Sequence, residues 1–422
     1  MPTTTPDGRR RPTPALSAAL SLLTGLLLAG CTRDADPGPS STEAGPVEVV
    51  RSMNKVLRKR ARAVLAQDWT SFAATLDGRR ARFVEGEQVF FDNLTQLPLS
   101  EFSYRVEEGT VVRGDGGYHA VVQVRLQLDG YDTVPVVRPK RFHFTQARGQ
   151  GLRVASHRDR AWEQRNDVDV QPWDSGPITV GSGLGVLAIF DERTAPRSAE
   201  MIAAVEQGIG QVGGLVPYGW SGQVVVYALS DTVMLEGLDD LPAADAGSLD
   251  AVAFPVPARP DDPDADIAST RFLLHPRMLG TPPGQLARLI RHELTHVALG
   301  ERDDEVPTWL GEGIAEWVSV QSLPIPDRLI SQEAIDLARR GLDRLPADEE
   351  FHGEDQAANY GISWWACEAI VDIHGEQVLW QLLDELAATS PADQPDRQQQ
   401  LLQMGAAQLA REAERRLLAT YG

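Results

Sequence analysis

Residues 291–317 read RHELTHVALGERDDEVPTWLGEGIAEW, and the reading of this stretch decides the second half of the chain. His292 and His296 stand four apart, in a run where Leu286, Leu289, Ile290, Leu294 and Val297 recur at helical spacing. Thr281-Pro282 is a helix start signal and Gly300 a stop. On such a helix both imidazoles project from one face, one turn apart, and can hold a single ion, with Glu293 beside them free to act as a base. Three fixed positions in H-E-x-x-H are weak evidence alone, because paired helical histidines also serve as hydrogen-bonded structural residues. The second block adds the missing weight. Pro307-Thr308 begins another helix, on which Glu312 and Glu316 are again one turn apart. Zinc in a hydrolytic site takes three protein ligands and keeps a position open, and two His with one Glu is an established set. Glu312 supplies the third ligand. Glu316 can accept the other ring N–H of a histidine and fix its orientation, with His292 the expected partner and His296 the alternative.

His292-Glu293-Leu294-Thr295-His296 and Trp309-Leu310-Gly311-Glu312-Gly313-Ile314-Ala315-Glu316 together resemble the gluzincins, the metallopeptidase group of thermolysin and the alanyl-aminopeptidase-like enzymes. The resemblance implies one zinc ion held by His292, His296 and Glu312, with Glu293 as general base toward a zinc-activated water and peptide bonds as substrate. It also implies a mainly helical domain with a small edge sheet, the wider likeness running from about residue 178 to 390. The gap from His296 to Glu312 is shorter than the aminopeptidase pattern, and the Gly-x-Met-Glu-Asn segment that holds a free amine is missing, which speaks against exopeptidase action. In this group an edge strand before the zinc helix pairs with the extended substrate, and Arg271 to Leu274 are the candidates by position. Tyr360, at the start of a later helix, is the family's candidate donor to the tetrahedral oxyanion, against the alternative of a packed aromatic. His275 reads as structural, and His374 beside Gly375 as a helix end.

The first thirty residues belong to another category. Arg9, Arg10 and Arg11 precede a short apolar run from Ala15 that ends in Leu28-Ala29-Gly30-Cys31; this is a secretory signal, not a spanning helix. The last four residues resemble a bacterial lipoprotein lipobox, which implies cleavage after Gly30 and lipid on Cys31. The mature protein is then expected to be lipid-anchored to the extracytoplasmic face of the cell membrane. Cys367 is the other cysteine of the chain, so no intramolecular disulfide is expected, and its neighbours Trp364, Trp365, Ala366 and Ile370 mark it as a small core residue.

Residues 31–46 are a flexible tether of Pro, Ser, Gly and acid. From 47 to 172 the pattern is helices first and long strands after. Val49, Val50, Met53, Leu57, Val64 and Leu65 form a stripe, Asp68 caps a short helix, and Tyr118 to Leu128 alternate at period two before the turn signal Asp129-Gly130. This order, a curved antiparallel sheet wrapped on helices, is similar to NTF2-like lipoprotein domains. Near 172 the stretch QPWDSGP reads as a linker, and 173–422 as the metallopeptidase-like domain, giving an α+β chain in two parts. Charge divides at the same point: 47–172 carries 20 basic and 16 acidic residues, 173–422 carries 16 and 40. So acidic a second part repels phosphate backbones, and no nucleic acid partner is expected. The expected partners are a peptide or protein substrate and the membrane through lipidated Cys31. The competing reading is a non-catalytic lipoprotein in which zinc staples the fold and the first domain binds a protein or cell-wall partner.

Overall fold

The computed structural model describes residues 45–114, 116–147, 151–236, 249–262 and 264–422. The expected signal segment, Cys31 and the tether up to residue 44 lie outside the described residues. Among the described residues no helix is long and apolar enough to cross a membrane.

The amphipathic stripe of the first helix, α1 (Pro46–Leu65), buries Val49, Val50, Met53, Leu57 and Val64. Asp68 caps α2 (Trp69–Ala73), its side chain accepting the Ser71 N–H at 3.0 Å. After α3 (Ala81–Gln96) come β1 (Leu99–Val106), β2 (Val112–Gly114), β3 (Gly117–Leu128), β4 (Val136–Ala147) and β5 (Gly151–Ser156). They form an antiparallel sheet in the order β1-β3-β4-β5, with β2 pairing β3. The period-two alternation is realised on β3, where Ala120, Val122, Val124, Leu126 and Leu128 are all buried, turned toward the helices. The sheet curls into a half-barrel.

Two short helices, α4 (Arg160–Arg165) and α5 (Pro172–Ser175), lead into a second sheet at the point where the sequence suggests a linker. Its strands β6 (Ile178–Gly183), β7 (Val186–Asp191), β8 (Val224–Ala228), β9 (Ala251–Pro257) and β10 (Ile267–Leu274) lie in the order β6-β7-β8-β10-β9. The two central pairings, β7 with β8 and β8 with β10, are parallel and the outer ones antiparallel. Both faces are buried. Leu187, Ile189, Val225, Tyr227, Val252 and Leu273 join the core of the first module. Their alternates Val186, Ala188, Phe190, Val224, Val226, Phe272 and Leu274 join the core of the helices. A strand covered on both sides has no polar alternation to show, hence the unbroken apolar runs VLAIF and VVVYA. Residues 45–422 accordingly make one compact unit around two cores that share this sheet.

Two expectations are corrected here. The sheet is a five-stranded partition, not a small edge sheet. Arg271 to Leu274 lie on β10, inside the sheet between β8 and β9, and the outermost strand on that side is β9. Pro255 and Pro257 on β9 have no N–H to donate, which an outermost strand tolerates where its backbone faces away from its partner.

Helices complete the chain: α6 (Ser198–Gly213), the short α7 (Val233–Glu236), α8 (Pro283–Leu299), α9 (Thr308–Gln321), α10 (Gln332–Arg340), α11 (Gln356–His374), α12 (Glu376–Ala387), α13 (Gln394–Leu402) and α14 (Ala406–Tyr421). α8 stops at Gly300, whose φ of 60° suits glycine. α9 is pressed so close to α11 that a Cβ on Gly313 would stand 2.6 Å from the Ser363 carbonyl oxygen and 2.9 Å from Cys367 Sγ. That close approach brings the residue before it, Glu312, up to the start of α11.

Candidate metal centre

α8 and α9 pack against each other, and their polar residues meet at one place. His292 Nε2 is 3.1 Å from Glu312 Oε2, His296 Nε2 is 3.4 Å from the same oxygen, and the two Nε2 atoms are 3.3 Å apart. Ligands bound at about 2.0–2.1 Å around a tetrahedral zinc ion stand about 3.3 Å from one another, so this near-equilateral triangle of two nitrogens and an oxygen matches three corners of that geometry. Among the described residues no other cluster of His, Cys, Asp or Glu has such spacing. Glu312 Oε2 is also buried without a well-directed hydrogen bond. A buried carboxylate oxygen left in that condition is costly unless a cation meets it.

Each imidazole is backed on its other nitrogen by an acid. His292 Nδ1 lies 3.1 Å from Glu316 Oε1, and Glu316 Oε2 is in turn paired with Arg288. His296 Nδ1 lies 2.6 Å from Asp303 Oδ2, on the acidic loop between the two helices. The Asp303 bond fixes the His296 ring plane, while His292 Nδ1 stands beside Glu316 without a well-directed hydrogen bond, and both Nε2 atoms face Glu312.

The electrostatics follow from crowding acids around two rings. Burial presses His292 toward neutrality, yet Glu312 and Glu316 prevail and hold it at about 9. His296, likewise opposed by burial, is raised well above its ordinary value by Glu312 and Asp303. Burial works to raise Glu312, but the imidazoles keep it well below the usual carboxylate range. Glu316 resists burial through Arg288 and His292 and sits at about 2. Without a metal, protons supply the positive charge that this group of residues demands.

Glu293, next to His292 and wholly inside, is raised by burial above the usual carboxylate range, against the pull of both imidazoles; the backbone of Ala253 on β9 lies near its carboxylate. Tyr360, near the start of α11, has its ring 5.8 Å from that of His292. Burial, together with the charges of Glu312, Glu293 and Glu316, raises its phenol well above the ordinary value, so it is a proton donor at neutral pH. Phe351 and His352 pack on the Tyr360 ring, with centroids 5.2 and 6.2 Å away. Cys367 is buried behind α9 and its thiol is pushed well up by burial, as a core residue requires. His275 caps a short 3₁₀ turn, its Nδ1 accepting the Arg277 N–H at 3.1 Å.

The structure thus brings His292, Glu293, His296, Glu312, Glu316 and Tyr360 to one place. It adds Asp303, Arg288 and His352, which the sequence reading does not single out. Arg288 carries a signal, being four residues before His292 and so on its face. Asp303 is one of four acids in a five-residue loop, with nothing to distinguish it.

Neither a scan against protein-family models nor a search of curated proteins returns a match to this chain.

Proposed function

We propose that the chain is a zinc-dependent metallopeptidase of gluzincin type, with an NTF2-like first module, anchored by lipid on Cys31 to the outer side of a cell membrane. The observation that supports this best is the triangle of His292 Nε2, His296 Nε2 and Glu312 Oε2, with a buried carboxylate, Glu293, on the same helix beside it. Structural zinc sites are usually closed by four protein ligands, often cysteines, whereas three ligands with a neighbouring base suit hydrolysis. Cys367, the cysteine among the described residues, is outside this cluster.

His292, His296 and Glu312 hold the ion, which when bound supplies Lewis acidity and brings the pKa of water toward about 7. Glu293, buried beside the proposed ligands, takes the proton of the attacking water and delivers it to the leaving amine. Tyr360 keeps its phenolic proton and donates it as a hydrogen bond to the oxyanion that develops on the scissile carbonyl. Glu316 and Asp303 keep the imidazoles in one tautomer and orientation.

Glu293→Gln tests the reading. The variant is expected to bind zinc one to one like the parent and to lose hydrolysis of a mixed peptide library by at least about a hundredfold. Undiminished hydrolysis removes Glu293 from the chemistry, and zinc binding without cleavage by the parent protein favours a zinc staple instead.

A further inference from the structure

The turn between β3 and β4 reaches across to the second sheet and places Asp132 there, with its side chain fully buried. Asp132 Oδ1 accepts from Arg271 Nη2 at 2.7 Å and from Ser269 Oγ at 2.8 Å, and Oδ2 accepts the Leu128 N–H at 2.9 Å. Arg271, on β10, also donates Nη1 to the Tyr227 hydroxyl at 2.6 Å and Nε to Ser269 Oγ at 3.1 Å. Two main-chain bonds flank the pair, Thr133 N–H to Ala268 O and Val137 N–H to Ala258 O, each 2.8 Å. The first module therefore grips the β9–β10 hairpin through a satisfied ionic centre.

Stability alone is a poor reason for such a centre, because a buried ion pair often contributes no more than a well-packed apolar pair of the same volume. Its location suggests another. Arg271 stands opposite Phe254 in the β9–β10 pairing, and β9 packs against α8, with the backbone of the neighbouring residue Ala253 near the Glu293 carboxylate. We propose that Asp132 is a positioning residue for hydrolysis: through Arg271 it sets where β9 lies against α8, and hence where Glu293 stands. This rests on the peptidase reading above. It makes the first module part of the catalytic apparatus and not a detachable regulator.

The test uses the full chain with Asp132→Asn and with the paired change Asp132→Leu, Arg271→Met, which removes both charges together and guards against a variant that fails to fold. Three quantities are measured: peptide hydrolysis, zinc stoichiometry, and amide hydrogen exchange of residues 251–257. The paired variant is expected to bind zinc one to one and to melt near the parent. Its kcat should fall by about tenfold to a hundredfold, as a shift of about 1 Å at a reacting group produces. KM should change less, and exchange should quicken at 251–257 while α11 to α14 stay protected. A paired variant with parental kcat and unchanged exchange at 251–257 overturns the proposal and leaves Asp132 a purely structural residue. If the parent cleaves no peptide, the peptidase reading falls by itself; the exchange measurement still decides whether Asp132 governs β9.

Discussion

In the proposed site zinc and protons would compete for the same two ring nitrogens, and the structure sets the terms. His292 is held at about 9, so at pH 7 the ring is about 99% protonated and zinc must first displace that proton. The cost is about two pH units at 1.36 kcal/mol each, or about 2.7 kcal/mol, a hundredfold in apparent affinity. His296 is also raised well above its ordinary value, so a second proton opposes the metal there. Protons oppose the metal; affinity therefore rises with pH and flattens only as pH climbs through the folded pKa values. Between pH 6 and pH 8 the logarithm of the apparent zinc affinity is expected to rise by at least about one per pH unit, His292 giving up one proton and His296 adding to it. Competition against a chromophoric chelator measures that slope, and calorimetry in buffers of different ionisation enthalpy counts the protons released. A slope near zero means that neither ring gives up a proton when zinc binds, and refutes the charge arrangement derived for this site.

Three further expectations follow from particular contacts. Asp303→Asn should weaken zinc binding about tenfold to a hundredfold while leaving the helices intact by circular dichroism, since the His296 ring loses the carboxylate that orients it. Gly313→Ala should cost about 1–3 kcal/mol in chemical denaturation, because the added methyl must push the Ser363 carbonyl away and part α9 from α11. Glu87 is held at about 2, burial being outweighed by Arg60 and His157. A depressed carboxylate stabilises the fold above its unfolded pKa of 4.5 and loses that contribution as pH falls toward 2, so denaturation midpoints should drop across this window. Glu87→Gln should flatten the drop and, with Arg60 left buried and unpaired, cost about 3–5 kcal/mol at pH 7.

How far the sequence could be read depended on whether a pattern had one dry face or two. On β3 the alternation from Tyr118 to Leu128 marks the strand and its buried side, because its other side is less covered. On β7 and β8 every residue is apolar, so strands are visible but not which face meets which core, nor that five strands make one sheet. Position in the chain misled for Arg271: β10 precedes the metal helix, but β9 comes back alongside it and takes the outside place. A buried arginine in a strand was the available warning, since it requires a partner, and that partner, Asp132, lies far off in sequence. At the candidate metal centre the spacings of His292 with His296 and of Glu312 with Glu316 are local helical facts and were legible. Asp303 and His352 arrive by loops, where no periodicity points to them.

The two prolines of β9 have a consequence beyond the fold. An outermost strand is where one molecule can add itself to the next, and the bare main chain of such a strand is a template for fibres. Pro255 and Pro257 strike two donors from that template. Copies crowded side by side are thereby deprived of the regular ladder through which they would polymerise.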